Sequence, residues 1–279
     1  MIGSLIQTVI ELDQALGSNA NILLGGGLGL YLKQQQLETS QVNTLLPISM
    51  WPTARTTEDI DLFLRAEVVA SADTMEKYKQ ALQQLAFKVV EKAKWMKFSR
   101  IVYGKEVLID LMVGPLGEYE SLVEQKGIRV KPKGTSGLHA RFTEDALSIE
   151  LNPLAINLEE NNNKCVIFVP QAFPFALMKL GAFHDRVHDG NKDEGRHHAL
   201  DLYRIIAMLT KDESMHAKQL ADKYSKHPIL QHRIETIQTM FSHHDELGCI
   251  RLREHPLCPK NIDLKHFCKE LLQLMKGTL

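Results

Sequence analysis

The stretch "TTEDIDLFL", Thr56 to Leu64, sets two carboxylates at alternate positions and follows them with an apolar run. In a β-strand, residues two apart point to the same face. Asp59 and Asp61 therefore stand side by side at the entrance to a strand that is otherwise apolar. Like charges that close repel and raise each other's pKa. A cation held between them would resolve the conflict, and solvation at an exposed strand end is the plainer alternative.

Upstream, "NILL" (21–24) is a short buried-strand pattern that runs into "GGG" (25–27) and the helical stretch "LGLYLKQQQ". Glycines at a strand-to-helix turn let backbone N–H groups approach a phosphate at the helix N-terminus. The same glycines also suit a tight turn with no ligand. The pattern is neither a dinucleotide fingerprint nor a P-loop. Downstream, "VLIDLMVG" (107–114) carries Asp110 inside a strongly apolar run. A lone carboxylate in a buried strand is costly, so Asp110 should be paired, protonated or on a metal. Three carboxylates on adjacent strands form a hard, oxygen-rich donor set suited to Mg²⁺ or Mn²⁺. Two such ions about 4 Å apart can hold a triphosphate and activate an attacking hydroxyl.

The chain divides by character. Residues 1–169 read as mixed α/β, with helices at 3–17 and 72–86, strands at "DIDLFLR", "KVVEKA", "SRIVYG" and "VLIDLMV", a loop over 38–54, a short helix at 118–125 and a strand-rich stretch to 169. Residues 170–279 read as helical, with helices at 214–225, 228–243 and 262–276 after two more that span "QAFPFALMKLGAFHDRVH" and "RHHALDLYRIIAML". The fold class expected is α+β, a mixed sheet with flanking helices followed by a helical bundle. Residues 1–163 hold 16 Lys+Arg against 20 Asp+Glu, while 164–279 hold 17 against 14 and 11 of the 12 histidines. The near-neutral total gives no global field toward nucleic acid or membrane. No apolar run approaches the ~20 residues of a membrane span, and the N-terminus has no basic leader, so a cytoplasmic protein is expected. The four cysteines show no CxxC spacing, which points to free thiols. His184, His188, His197 and His198 lack Cys or acidic partners at ligand spacing and read as surface histidines.

"GGG", "RTTEDIDLF" (Arg55 to Phe63) and "LIDLMVG" together resemble the nucleotidyltransferase superfamily with the DNA polymerase β fold. The form R-x-T-x-D-I-D-L at 55–62 is similar to the AbiEii group, which includes toxins of toxin–antitoxin pairs. That group also carries a Lys in a helix, then an Arg, then a D-L-containing helix, matched here by Lys179, Arg186 and Asp201. Two departures stand out: the span from Gly26 to Asp59 is longer than usual, and His198 stands three residues before Asp201.

The resemblance implies Mg²⁺-dependent (or Mn²⁺-dependent) transfer of an NMP from an NTP to an acceptor hydroxyl. It places the metals on Asp59, Asp61 and Asp110, and the nucleotide on Gly26, Gly27, Arg55, Thr57, Lys179 and Arg186. Lys179 and Asp201 join the aspartates as catalytic residues, with Asp201 either binding Lys179 or acting as a base. The helical domain is expected to complete the nucleotide cleft. The partners implied are an RNA or tRNA acceptor, reached through Arg186, Lys192, Arg196 and Arg204, and an antitoxin protein. A small-molecule acceptor and a non-catalytic nucleotide-binding module are the alternatives.

Overall fold

The computed structural model describes residues 2–40, 42–55, 57–189 and 191–277, and the backbone alone at 192 and 194. Thr56 of the opening stretch and the Lys192 side chain lie outside what is described. The chain forms two compact units. The first comprises Met1–Lys33 and Thr56–Pro170, the second Gln34–Arg55 and Gln171–Leu279. The expected boundary at 169–170 thus falls one residue early, and residues 34–55 go with the helical unit.

In the first unit, α1 (Ile2–Ala15) precedes β1 (Leu23–Leu24), α2 starts at Gly26 and runs to Ser40, and β2 spans Asp59–Phe63. Then come α3 (Ala66–Ala70), α4 (Ala72–Gln84), β3 (Lys88–Val89), β4 (Lys97–Val102) and β5 (Lys105–Val113). The strands β6 (Val123–Lys126), β7 (Arg129–Pro132), β8 (Ala140–Phe142), β9 (Leu154–Glu160) and β10 (Asn163–Val169) complete it. One mixed sheet takes them all, in the order β6-β7-β8-β5-β2-β1-β10-β9, with β4 on β5 and β3 on β4. The centre is the parallel pair β2–β5, where Asp61 stands opposite Asp110.

Alternation decides the faces of that pair. Ile60, Leu62, Ile109 and Leu111 are buried on one face, while Asp59, Asp61 and Asp110 share the other, half-open one. β5 is flanked twice on its second edge, first by antiparallel β4 and then by β8 at Met112 and Val113. Two expected elements differ. "KVVEKA" pairs as a strand only over two residues before a 3₁₀ turn at Glu91–Ala93. The expected short helix at 118–125 is a 3₁₀ turn, Gly117–Leu122, followed by β6.

The second unit holds α5 (Ala172–Arg186), α6 (Lys192–Ala207), α7 (Lys211–Lys223), α8 (Pro228–Met240), α9 (Leu247–Arg253) and α10 (Leu264–Lys276). Thr210 and Glu213 form a reciprocal capping box at the start of α7, which satisfies donors that a helix start leaves open. Pro228 opens α8, where its missing N–H costs nothing. Phe183, Phe241 and Phe267 stack in the core of this unit with centroids 4.9 and 6.0 Å apart. α9 was not expected from the sequence. Its Gly248 lets Phe241 approach, since a Cβ there would lie 2.5 Å from the ring. The 34–55 segment is not a free loop: Leu45 and Leu46 donate backbone hydrogen bonds to Leu209 and Ala207, and the Trp51 indole donates to the Leu46 carbonyl. Among the described residues, no helix is long and apolar enough to cross a membrane.

Candidate active site

The first unit sets two of the motif carboxylates, Asp59 and Asp110, around an ammonium. Lys97 opens β4 as the antiparallel partner of Asp110. Its Nζ lies 2.8 Å from Asp110 Oδ2 and 3.6 Å from Asp59 Oδ2. Burial alone would pull the Lys97 ammonium down, but the hydrogen bond and charge of Asp110, joined by Asp59, carry it above the ordinary lysine value. Asp59 is pushed up, first by burial and then by Asp110 and Glu58, with Lys97 opposing. The buried-strand cost of Asp110 is met by Lys97, so a metal is not needed to account for it.

Asp61 faces the glycine turn. Gly25 N–H donates to the Asp61 carbonyl at 2.9 Å. Gly26 opens α2 with φ +57, and a Cβ there would lie 1.5 Å from Asp61 Oδ2. Only glycine admits both that backbone and that carboxylate. A carboxylate at a helix start is favoured by the unpaired N–H groups and the helix dipole. Gly27 lies in the first turn of α2. Thr57 is buried, and its hydroxyl lies 3.5 Å from the Asp59 carbonyl.

The donor set suits a hard divalent cation in chemistry, with three carboxylates on one face and a glycine cradle beside Asp61. Among the described residues, the only three ligand-bearing side chains whose donor atoms all lie within 4.8 Å of one another are the exposed His243, His244 and Asp245. The three motif carboxylates are not such a group: Asp59 and Asp110 flank Lys97, and Asp61 lies against Gly26.

The second unit carries the other charged residues of the motif. Asp201 on α6 is fully buried. Its Oδ2 accepts from Lys179 Nζ at 2.7 Å and Arg55 Nη2 at 3.1 Å, and its Oδ1 accepts from Arg204 Nη1 at 3.1 Å. Burial would raise the Asp201 pKa, but Lys179, Arg55 and Arg204 hold it far below the usual carboxylate range. Such a carboxylate is a poor base, so of the two expected roles the structure favours binding Lys179. Lys179 is buried too, which excludes a solvated helix face. Arg204 donates its remaining N–H groups to Gln34 Oε1 at 3.0 and 2.8 Å and is buried. It therefore cannot belong to an exposed RNA track. Arg186 is exposed at the end of α5, and Arg196 is tied to Asp193 and Glu254.

His198 is buried against this cluster. Its Nε2 lies 3.3 Å from Arg186 Nη1, and its Nδ1 has no hydrogen-bond partner among the described residues. Burial and then Lys179 push its pKa well below the ordinary imidazole value. His197 Nδ1 lies 2.9 Å from His255 Nε2. Leu257 N–H donates to His255 Nδ1, so His255 carries its proton on Nε2 and donates to His197. Burial and then His197 push the His255 pKa down to about 4. His198 is thus buried in the helical unit and His197 half-buried, so neither is the surface histidine expected.

Sequence reading missed Lys97, Gln34 and His255. The expected strand began at Ser99, two residues after the lysine, and the alternation Lys97–Ser99 was the available signal. No family model, curated protein or solved structure matches the chain.

Proposed function

We propose that the chain is a Mg²⁺-dependent nucleotidyltransferase. The observation that carries this reading is the set of three carboxylates, Asp59, Asp61 and Asp110, on one face of two parallel strands beside a glycine turn that Asp61 itself reaches. The acceptor hydroxyl oxygen bonds to the α-phosphorus of the NTP, the bond from that phosphorus to the bridging oxygen breaks, and pyrophosphate leaves with the electron pair. The hydroxyl proton passes to solvent. Bound Mg²⁺ would neutralise the charge that builds on the phosphates. Asp59 and Asp61 would hold it, with Asp110 beside them, and the open N–H groups at the start of α2 would favour phosphate oxygens. In the second unit, Lys179, Arg55 and Arg204 converge on Asp201. Asp201 would position Lys179. This chemistry rests on positioning and charge, so no covalent nucleophile is required.

The test is incubation with each α-labelled NTP, Mg²⁺, total RNA and total protein, with Asp61→Asn as control. Label on RNA or protein that disappears in the variant supports transfer. Transfer to purified tRNA, measured across a range of KCl, should weaken steeply with salt if RNA is the acceptor. Label on an aminoglycoside panel with none on tRNA would point to a small-molecule acceptor.

One observation favours a second reading. Lys97 already pairs with Asp59 and Asp110 without a metal, which a non-catalytic nucleotide-binding module would also allow. Nucleotide binding by isothermal titration, with no label transferred to any acceptor, would select it.

A further inference from the structure

We propose that a cavity in the first unit, set between α4 and the loop that joins β7 to β8, is a binding site for an unpaired nucleobase. The cavity has a volume of about 330 Å³, within the roughly 300–1,000 Å³ of small-molecule sites. Its floor is apolar, since Met75, Pro132 and Leu138 are buried. The half-buried Trp95 forms a wall. Among the described residues, none of those placed in the nucleotidyltransferase site lines it. The inference therefore goes beyond that reading and does not depend on it.

The wall and the rim each select part of the ligand. A flat indole favours a flat ring, and stacking of bases on aromatic side chains tolerates any base. The rim favours a ring with polar edges. Lys79 lines it and donates to both oxygens of Glu76, at 3.3 and 3.1 Å. The two charges offset each other, yet an ammonium has a third N–H and a carboxylate has further lone pairs. Ser136 adds a hydroxyl that both donates and accepts. A hydrocarbon ring would give these groups nothing, whereas a base carries donors and acceptors on its edges. The cavity is also built before a ligand arrives. Trp95 has φ +67, a strained backbone that persists only where its surroundings hold it. Its carbonyl accepts from His139 N–H at 3.0 Å, which ties the wall to the end of the loop. The loop is held in turn by the Thr135 hydroxyl, which donates to the Pro132 carbonyl at 3.0 Å, and by Lys131, which donates to the Thr135 carbonyl.

The experiment reads Trp95 fluorescence in the full-length chain without Mg²⁺. Trp51→Phe removes the other tryptophan of the chain. If that variant does not fold, the signal is the difference between the unaltered chain and Trp95→Leu. The probes are the four nucleosides, a single-stranded oligoribonucleotide and ribose. Saturable quenching by a base-bearing probe, with none by ribose, is expected. Quenching by nucleosides but not by the oligonucleotide identifies a small molecule as the source of the base, and quenching by the oligonucleotide identifies a strand. Gly137→Leu blocks the cavity that Gly137 lines. A Cβ there meets nothing within 4 Å and the backbone lies outside the left-handed region, so the fold admits it. Trp95→Leu keeps the backbone strain and removes the wall. Each variant should weaken binding by about 10–100-fold, read by isothermal titration for Trp95→Leu, as loss of one stacked base does. No quenching by any base-bearing probe, equal quenching by ribose, or unchanged affinity in Gly137→Leu would overturn the proposal. Failure of label transfer in the test of the proposed function would overturn that reading and leave this site in place.

Discussion

The two charged clusters are near inversions of one another. In the first unit, one ammonium faces the carboxylates of a half-open sheet surface. In the second, one carboxylate is enclosed by an ammonium and two guanidiniums. The first has access to solvent, while the carboxylate of the second has none. Open clusters can exchange their counter-ions, whereas closed ones are committed to the partners the fold supplies. The acidic cluster is thus suited to a ligand that comes and goes, and Asp201 to holding its neighbours in place.

The strongest way to break this contrast is Asp201→Asn. It leaves Lys179, Arg55 and Arg204 around a neutral side chain, and removing one member of a buried ion pair typically costs about 3–5 kcal/mol. Urea unfolding should show that loss. A midpoint within experimental error of wild type would mean the cluster is not the closed structural centre described here.

Gly26→Ala should come next. The left-handed backbone is strained for any other residue, at about 1–3 kcal/mol, and the new methyl would displace the Asp61 carboxylate. A lowered melting temperature together with lost Mn²⁺ binding is expected. A stability loss with unchanged metal affinity would separate the turn from the site.

Asp61→Asn should lower transfer by about 10–100-fold or more, as loss of groups that hold or orient a metal does. Its metal-free melting temperature should not rise, because the start of α2 favours the Asp61 carboxylate. Wild-type transfer at saturating Mg²⁺ would remove the metal assignment.

The smallest effect is in pH. Asp59 has a raised pKa, so its contribution is present at low pH and is lost as pH rises through the raised value. Asp201, His198 and His255 have lowered values. Their contribution is present above the unfolded pKa and is lost as pH falls. For His255 that loss runs from about 6.5 down to about 4. His255→Gln should therefore flatten the decline in stability between those limits, read from urea midpoints. An unchanged slope would assign the decline to other groups.

Much of the acidic cluster was legible because it is local in pattern. Alternation in "DIDLF" and "LIDLM" gave both faces of the central strands, and the glycine run marked the turn. The helices of the second unit were legible through their apolar spacing, except α9, which is short and contains a glycine. What sequence could not show was pairing across distance. Nothing near Lys97 names Asp110 as its partner, and nothing near Arg204 distinguishes it from an exposed arginine. Arg204 is buried because Asp201, three residues away on one helix face, and Gln34, far along the chain, both receive it. Residues 34–55 looked like an insertion for the same reason: their hydrogen bonds go to residues more than 150 positions later.

That segment has a consequence for how the protein is made. Neither unit is a continuous piece of chain, because the backbone passes from the first to the second at Gln34, returns at Thr56 and leaves again at Gln171. A ribosome delivers Gln34 and Arg55 early, but Asp201 and Arg204, which complete their hydrogen bonds, emerge only after the whole first unit has been translated. Until then the early segment has polar groups with no native partner, and it depends on the nascent chain staying unaggregated. Splitting the gene after codon 170 would separate these residues for good. The C-terminal fragment would then lack Arg55 and Gln34, and would fold only if the N-terminal fragment were supplied in trans.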